Sequence, residues 1–246
     1  LHMKQVFGMD RAGTIRRAVE ATEMIRDRAE AASGDIRFQF SPEEFTDTDP
    51  AFALEICEAV AEAWGRATPE QPLILNLPAT VERRPPNQYA DMIEWFGRSF
   101  SRRDVVQISL HVHNDQGMAV AATELGLLAG GDRVEGTLFG HGERTGNVDL
   151  VTVANNLASR GIETGLDFSR LPEIAASIER LTDMPVYYRQ PYSGEYAFTA
   201  FSGSHQDAIN KAMHKLDEAP RVFGVGWKVP YLHIDPSDIG RSYQSI

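Results

Sequence analysis

Two kinds of apolar pattern alternate along this chain. In residues 11–32, Ile15, Ala18, Val19, Ile25 and Ala29 recur at helical spacing, with Thr22 on the same face. Ser33-Gly34 closes that helix. Residues 36–40 then alternate apolar and polar, which predicts a short strand. Asp49-Pro50 is a strong helix start, and a helix is predicted to about Trp64. The run 73–77 predicts a buried strand, and Tyr89, Met92, Ile93, Phe96 and Phe100 mark one face of a helix over 87–100. A third strand is predicted over 105–112 and an Ala-rich helix over 117–129, ended by Gly130-Gly131. A fourth strand over 133–139 and a helix over 148–159 follow.

Strands that alternate with helices of this length imply βαβ units and a parallel sheet. The repeat is compatible with a (β/α)8 TIM barrel, and the chain, at 246 residues, is as long as a complete one. Yet only four strands are found where a closed barrel needs eight. After residue 160 the pattern changes. A loop and helix over 166–181, a Tyr- and Gly-rich stretch over 186–202, a helix over 204–215 and a Pro-rich stretch over 219–246 predict a following, mainly helical subdomain. The expected organisation is therefore a barrel segment over 1–160 and a post-barrel subdomain or linker over 161–246.

Composition narrows the class. Hydrophobic residues make up 42% and charged residues 24%, which excludes a disordered or disulfide-scaffold chain. No apolar run approaches the roughly 20 residues of a membrane span. The formal charge of −11 argues against nucleic-acid or anionic-membrane partners, while a pocket can still be locally positive. With one cysteine, Cys57, no intrachain disulfide forms, and a reducing cytoplasmic compartment fits. Cys57 lies within a predicted amphipathic helix and reads as a small buried hydrophobe. The chain opens on Leu1, which suggests that residue 1 is not the natural start.

In parallel α/β folds, chemistry sits at the carboxyl ends of the strands. The four predicted ends carry Ser41-Pro42-Glu43-Glu44, Pro78-Ala79-Thr80-Val81-Glu82, His111-Val112-His113-Asn114-Asp115 and the loop 140–147, GHGERTGN. Side chains at i and i+2 of a strand share a face, so His111 and His113 can offer two imidazoles to one divalent metal. The loop glycines suit positive φ or close backbone approach. Asn147 either caps the next helix or offers an amide oxygen to the metal. Glu143 reads as a solvated loop carboxylate or a site carboxylate, and Arg144 as its ion-pair partner or an anion holder. The loop lacks a G-K-[ST] ending and is no P-loop. Ser41 and Glu43 fit a Pro-bounded turn, and Thr80 fits a turn cap. Glu44, Asp47 and Asp49 read as a solvated acidic face. Ser204 is expected to cap a helix with Asp207 at the capping-box position, which puts His205 in the first turn as a candidate proton acceptor.

Taken together, HVHND, LFGHGERTGNVDLVTVANNL, NLPATVE and FSGSHQDAINK resemble the 2-isopropylmalate synthase family, long-form branch. That family belongs to the metal-dependent Claisen-condensing barrels, beside the homocitrate and citramalate synthases. The resemblance runs over nearly the whole chain. It implies an acyltransferase of leucine biosynthesis that condenses acetyl-CoA with 2-oxoisovalerate and hydrolyses the thioester, with a divalent metal (Mg²⁺, Mn²⁺ or Zn²⁺) as Lewis acid. It implies His111, His113 and Asn147 as metal residues, Ser41 and Thr80 as substrate contacts, and Glu43, Glu143, His205 and Tyr231 as catalytic residues. It also implies a homodimer in which the post-barrel segment reaches the partner's site. The family's R-D-G strand has no counterpart here, since Asp10-Arg11 stands in a helix entry. The chain is thus expected to hold the C-terminal half of the barrel and two of three metal ligands, without the leucine-binding regulatory domain.

Overall fold

A computed structural model of the chain describes residues 2–216 and 223–246; residue 1 and residues 219–222 of the Pro-rich stretch lie outside them. After Val148 the chain divides into two compact units. The predicted boundary at 160/161 differs from this division by one helix, 150–159, which groups with the second unit.

The first unit runs α1 (His2–Gln5), α2 (Arg11–Ala31), β1 (Gln39–Phe40), α3 (Pro50–Trp64), β2 (Leu73–Ala79), α4 (Pro86–Ser99), β3 (Val106–Val112), α5 (Ala119–Leu128) and β4 (Arg133–Glu135). The four strands form one parallel sheet in the order β1-β2-β3-β4. The starts of α2 and α3 follow from their caps. Asp10 accepts a hydrogen bond from the Gly13 amide, and Asp49 from the Ala51 amide with Pro50 at the first helical position. In α3, Phe52, Ala53, Ile56, Cys57, Val60 and Trp64 are buried at helical spacing. The Cys57 side chain is fully buried, and burial pushes its thiol pKa well up, as a structural cysteine requires.

One face of the sheet packs under the helices. Leu73, Leu75, Leu77, Ile108 and Leu110 are wholly buried, and each contributes on the order of 1.5–3 kcal/mol by leaving water. Tyr89 of α4 is buried with them and donates its hydroxyl to the Leu77 carbonyl at 2.7 Å. Glycine admits α5 to this face: a Cβ at Gly126 would stand 2.8 Å from Leu110 Cδ1. The start of α5 is capped from another loop, where the buried Glu82 carboxylate accepts from the Gln116 and Met118 amides.

Two strands are shorter than predicted. β1 has ladder partners only opposite the beginning of β2 (Gln39 with Ile74, Phe40 with Leu75), so Ile36 and Arg37 run unpaired. β4 stops at Glu135, because residues 138–140 turn in a 3-10 helix with Phe139 at φ 61°. That turn buries Phe139 and directs the glycine loop back over the strand ends.

The second unit contains α6 (Leu150–Ser159), α7 (Leu171–Thr182), β5 (Thr199–Ala200), α8 (Gly203–Met213) and β6 (Gln244–Ser245), with β5 and β6 parallel. Its core includes Leu171, Phe198, Ile209, Ile234 and Ile239. Ser202, not Ser204, precedes α8, without a side-chain cap bond. The Ser204 hydroxyl instead lies 3.0 Å from that of Ser202, and Asp207 pairs with Lys211 one turn on at 2.6 Å, which leaves no capping box. Among the described residues, no helix is long and apolar enough to cross a membrane.

Candidate metal and substrate site

The opposite face of the first unit's sheet is polar. Register places Asn76 beside Ser109, Ser109 beside Arg133, and His111 beside Glu135. Arg133 donates to Ser109 at 2.8 Å, to Gln39 at 3.3 Å, and to Glu135. Glu135 in turn lies 3.0 Å from His111 Nδ1. Burial alone would raise the Glu135 pKa; the hydrogen bonds from Arg133 and His111 outweigh it and hold the carboxyl below its ordinary value.

His111 and His113 do share a face, and their Nε2 atoms stand 3.3 Å apart. Two nitrogens each about 2.1 Å from one metal are roughly 3.0–3.4 Å apart, depending on geometry. The spacing therefore suits a shared divalent ion, and the Glu135 contact on His111 is the usual outer partner of a ligating imidazole. Among the described residues, no three His, Cys, Asp or Glu side chains converge to hold a metal. The pair with Asn147 fits as part of a donor set. Asn147 is not a helix cap: Asp149 fills that role by accepting from the Val151 amide. Asn147 instead bridges to His113 through the backbone, and its amide nitrogen donates to the His141 carbonyl at 3.1 Å. The loop glycines are required as expected. A Cβ at Gly142 would collide with the Asn147 amide at 2.1 Å, and one at Gly146 with the Gly140 carbonyl at 1.8 Å.

Around this pair, Ser41 accepts from Asn76 Nδ2 at 3.2 Å, and the Thr80 hydroxyl accepts from the Glu44 amide at 2.9 Å. Glu43 is exposed, and so is Glu143, at 84% of its side chain. The predicted solvated acidic face does not hold for Glu44. It is buried, takes a left-handed backbone (φ 61°), and leaves Oε2 without a hydrogen bond, 3.6 Å from Arg83. Phe45 and Thr46 are buried beside it, so the chain turns inward here, one residue later than Glu43.

Arg144 pairs chiefly with Asp115 rather than Glu143: Nε lies 2.7 Å from Asp115 Oδ1, against 3.7 Å to Glu143. The Arg144 guanidinium holds the Asp115 carboxyl down to about 2. Burial, with the neighbouring His111 and Arg144, lowers the His113 pKa. Glu135 and Arg133 were not singled out by the sequence, where Asp115 stands only as a neighbour of the histidine pair and Glu44 reads as a solvated carboxylate. The available signal for Glu135 was the Arg133-x-Glu135 alternation, which shares the histidines' face. In the second unit, His205 is in the first turn of α8, and its ring stacks on Tyr231 with centroids 3.9 Å apart. The two rings line a cavity of about 460 Å³ with Phe198, Phe201 and Ile209.

A family model described as HMGL-like matches residues 1–178. The chain belongs to the HMGL-like family. A second model, "Alpha-isopropylmalate synthase, post-catalytic domain-like", matches residues 195–246. The proteins named 2-isopropylmalate synthase from Rhodospirillum rubrum and Pseudomonas syringae pv. syringae are each 55% identical to it, over 100% and 98% of the chain. The chain spans only 44% and 42% of their lengths. Among solved structures, the hydroxymethylglutaryl-CoA lyase from Pseudomonas aeruginosa superposes with a TM-score of 0.58 at 19% identity, over 75% of this chain and 60% of that one. The HMG-CoA lyase from Bacillus subtilis gives 0.55 at 21%, over 68% and 56%. These likenesses establish the HMGL-like fold, of which the four-stranded parallel sheet is a partial barrel.

Proposed function

We propose that this chain is part of a 2-isopropylmalate synthase, an enzyme that joins the acetyl methyl carbon of acetyl-CoA to the carbonyl carbon of 2-oxoisovalerate. The observation that carries the reading is the converging His111–His113 pair at the strand ends of a chain 55% identical to proteins of that name. A divalent metal bound there supplies Lewis-acid polarisation of the 2-oxo group and charge stabilisation of the developing alkoxide. His111, His113 and Asn147 are this chain's contribution to holding it. Ser41 and Thr80 position the oxo acid from the ends of β1 and β2. His205, set against Tyr231, accepts the proton from the acetyl methyl group at a ring nitrogen. Glu43 and Glu143, both exposed in the strand-end loops, are the candidate supporting carboxylates. Water then cleaves the thioester, which gives 2-isopropylmalate and CoA. We further propose a cytoplasmic homodimer in which the second unit serves the partner's site.

The test is CoA release by the full-length protein that contains this chain, with Mg²⁺, Mn²⁺ or Zn²⁺ supplied. Release that depends on 2-oxoisovalerate supports the reading. Release that depends on 2-oxoglutarate or pyruvate instead assigns a homocitrate- or citramalate-type synthase.

A further inference from the structure

Three strand-end loops of the first unit are bonded to one another by side chains that have no part in the chemistry assigned above. Glu82, in the loop after β2, is buried, and its carboxylate accepts from the Gln116 and Met118 amides of the loop after β3. A return bond runs from the Glu82 amide to Asp115 Oδ2 at 2.9 Å. These two loops are thus tied in both directions. Arg144 joins the glycine loop 140–147 to them. Its Nε lies 2.7 Å from Asp115 Oδ1 and its Nη2 3.2 Å from Oδ2, a two-point contact with one carboxylate. Nη2 also donates to the Thr80 carbonyl at 2.7 Å.

The ends of the glycine loop have fastenings of their own. The His141 carbonyl accepts from the Thr137 hydroxyl and from the Asn147 side-chain amide, and the Gly146 carbonyl accepts from the Asn114 amide at 3.0 Å. The tip, residues 142–145, is exposed. Arg144 stands in that tip at φ 56°, a left-handed backbone that residues other than glycine rarely adopt. Such a conformation persists where surrounding contacts impose it, and here the Asp115 and Thr80 contacts do so. Asp115 exposes 18% of its side chain, so the ion pair is partly shielded from solvent.

We propose that Arg144, held by Asp115, is a positioning residue that fixes the loop tip carrying Glu143 relative to Thr80. The inference rests on the functional reading above, in which Thr80 contacts the oxo acid and Glu143 is a candidate supporting carboxylate. A guanidinium suits the task because one planar fork reaches a carboxylate and a carbonyl together, where the ammonium of a lysine is a single point. The proton acceptor for acetyl-CoA, assigned to His205, lies in the other unit and is not held by this clamp.

Hydrogen–deuterium exchange and steady-state kinetics of the full-length protein test it together. In Arg144→Met, the amides of residues 142–145 are expected to exchange faster than in wild type, while those of α3, α4 and β3 keep their protection. The same variant is expected to lose about 10–100-fold in kcat/KM for 2-oxoisovalerate, as a misplaced group does, with KM for acetyl-CoA unchanged. Asp115→Asn is expected to reproduce both effects, and the double variant to be no worse than the more severe single one. Arg144→Lys is expected to recover only part of the loss. Unchanged exchange at the tip in Arg144→Met would overturn the clamp. So would faster exchange with unchanged 2-oxoisovalerate kinetics, or full recovery by Arg144→Lys. Those results leave the functional reading standing. A wild-type protein that releases no CoA with 2-oxoisovalerate would overturn that reading and this inference with it. If Arg144→Met does not fold, Asp115→Asn and Arg144→Lys supply the same readouts.

Discussion

The two faces of one four-stranded sheet have opposite jobs. The side under α3, α4 and α5 is built from Leu73, Leu75, Leu77, Val106, Ile108, Leu110 and Val112, all buried. The other side carries Asn76, hydrogen-bonded to Ser41, and a network of Gln39, Ser109, Arg133, Glu135 and the histidine pair. Strand alternation separates them by a single residue: Leu110 lies in the core and His111 in the site. The fold is held by one face, so the other is free to hold polar groups that would cost too much in a core. Those polar groups still had to be paired, and Arg133 does most of the pairing.

The largest expected contrast comes from neighbouring substitutions on β3. Leu110→Ala should lower unfolding free energy by about 2–5 kcal/mol, measured by denaturant titration, because it opens a cavity beside Gly126 of α5 and Gly131. His111→Ala should cost far less stability and abolish Zn²⁺ binding at the pair. Equal destabilisation by both would erase the distinction between the faces. Next in size, Glu135→Gln keeps the shape of the inner face but not the ionised acceptor on His111. It should weaken Zn²⁺ affinity about 10–100-fold by calorimetry, with a small change in unfolding midpoint. A large midpoint shift would make Glu135 a structural residue.

How far the sequence revealed each face follows from the same alternation. Hydrophobic spacing is a redundant signal, and it located α2 to α5 within one or two residues and every strand of the sheet. It overran β1 and β4, since a ladder needs a partner opposite and Phe139 turns inward for its own burial. On the polar face, His111 and His113 were legible because their spacing has a geometric meaning. Glu135 and Arg144 were not, because their roles depend on partners 24 and 29 residues away in sequence. Glu44 was missed for a third reason: a left-handed backbone at one residue reverses which of two adjacent glutamates faces inward.

The smallest effect concerns the helix layer itself. Asp49 caps α3 and pairs with Arg11 at 2.6 Å, and this hydrogen bond lowers its pKa. A carboxyl depressed in the folded state stabilises above its unfolded value of about 3.9 and loses that contribution as pH falls. Asp49→Asn should therefore be slightly less stable than wild type near neutrality, with the gap closing below about pH 4. A gap that persists at pH 2 would mean that the charge of Asp49 does not matter.

The central claim is that the polar face of this sheet binds a divalent cation between His111 and His113. Titration with Mn²⁺, followed through the imidazole Cε1–H signals, tests it most directly. The account predicts that His111 and His113 broaden first and together, ahead of His2, His205, His214 and His233. Broadening that begins elsewhere and leaves these two signals sharp would contradict it.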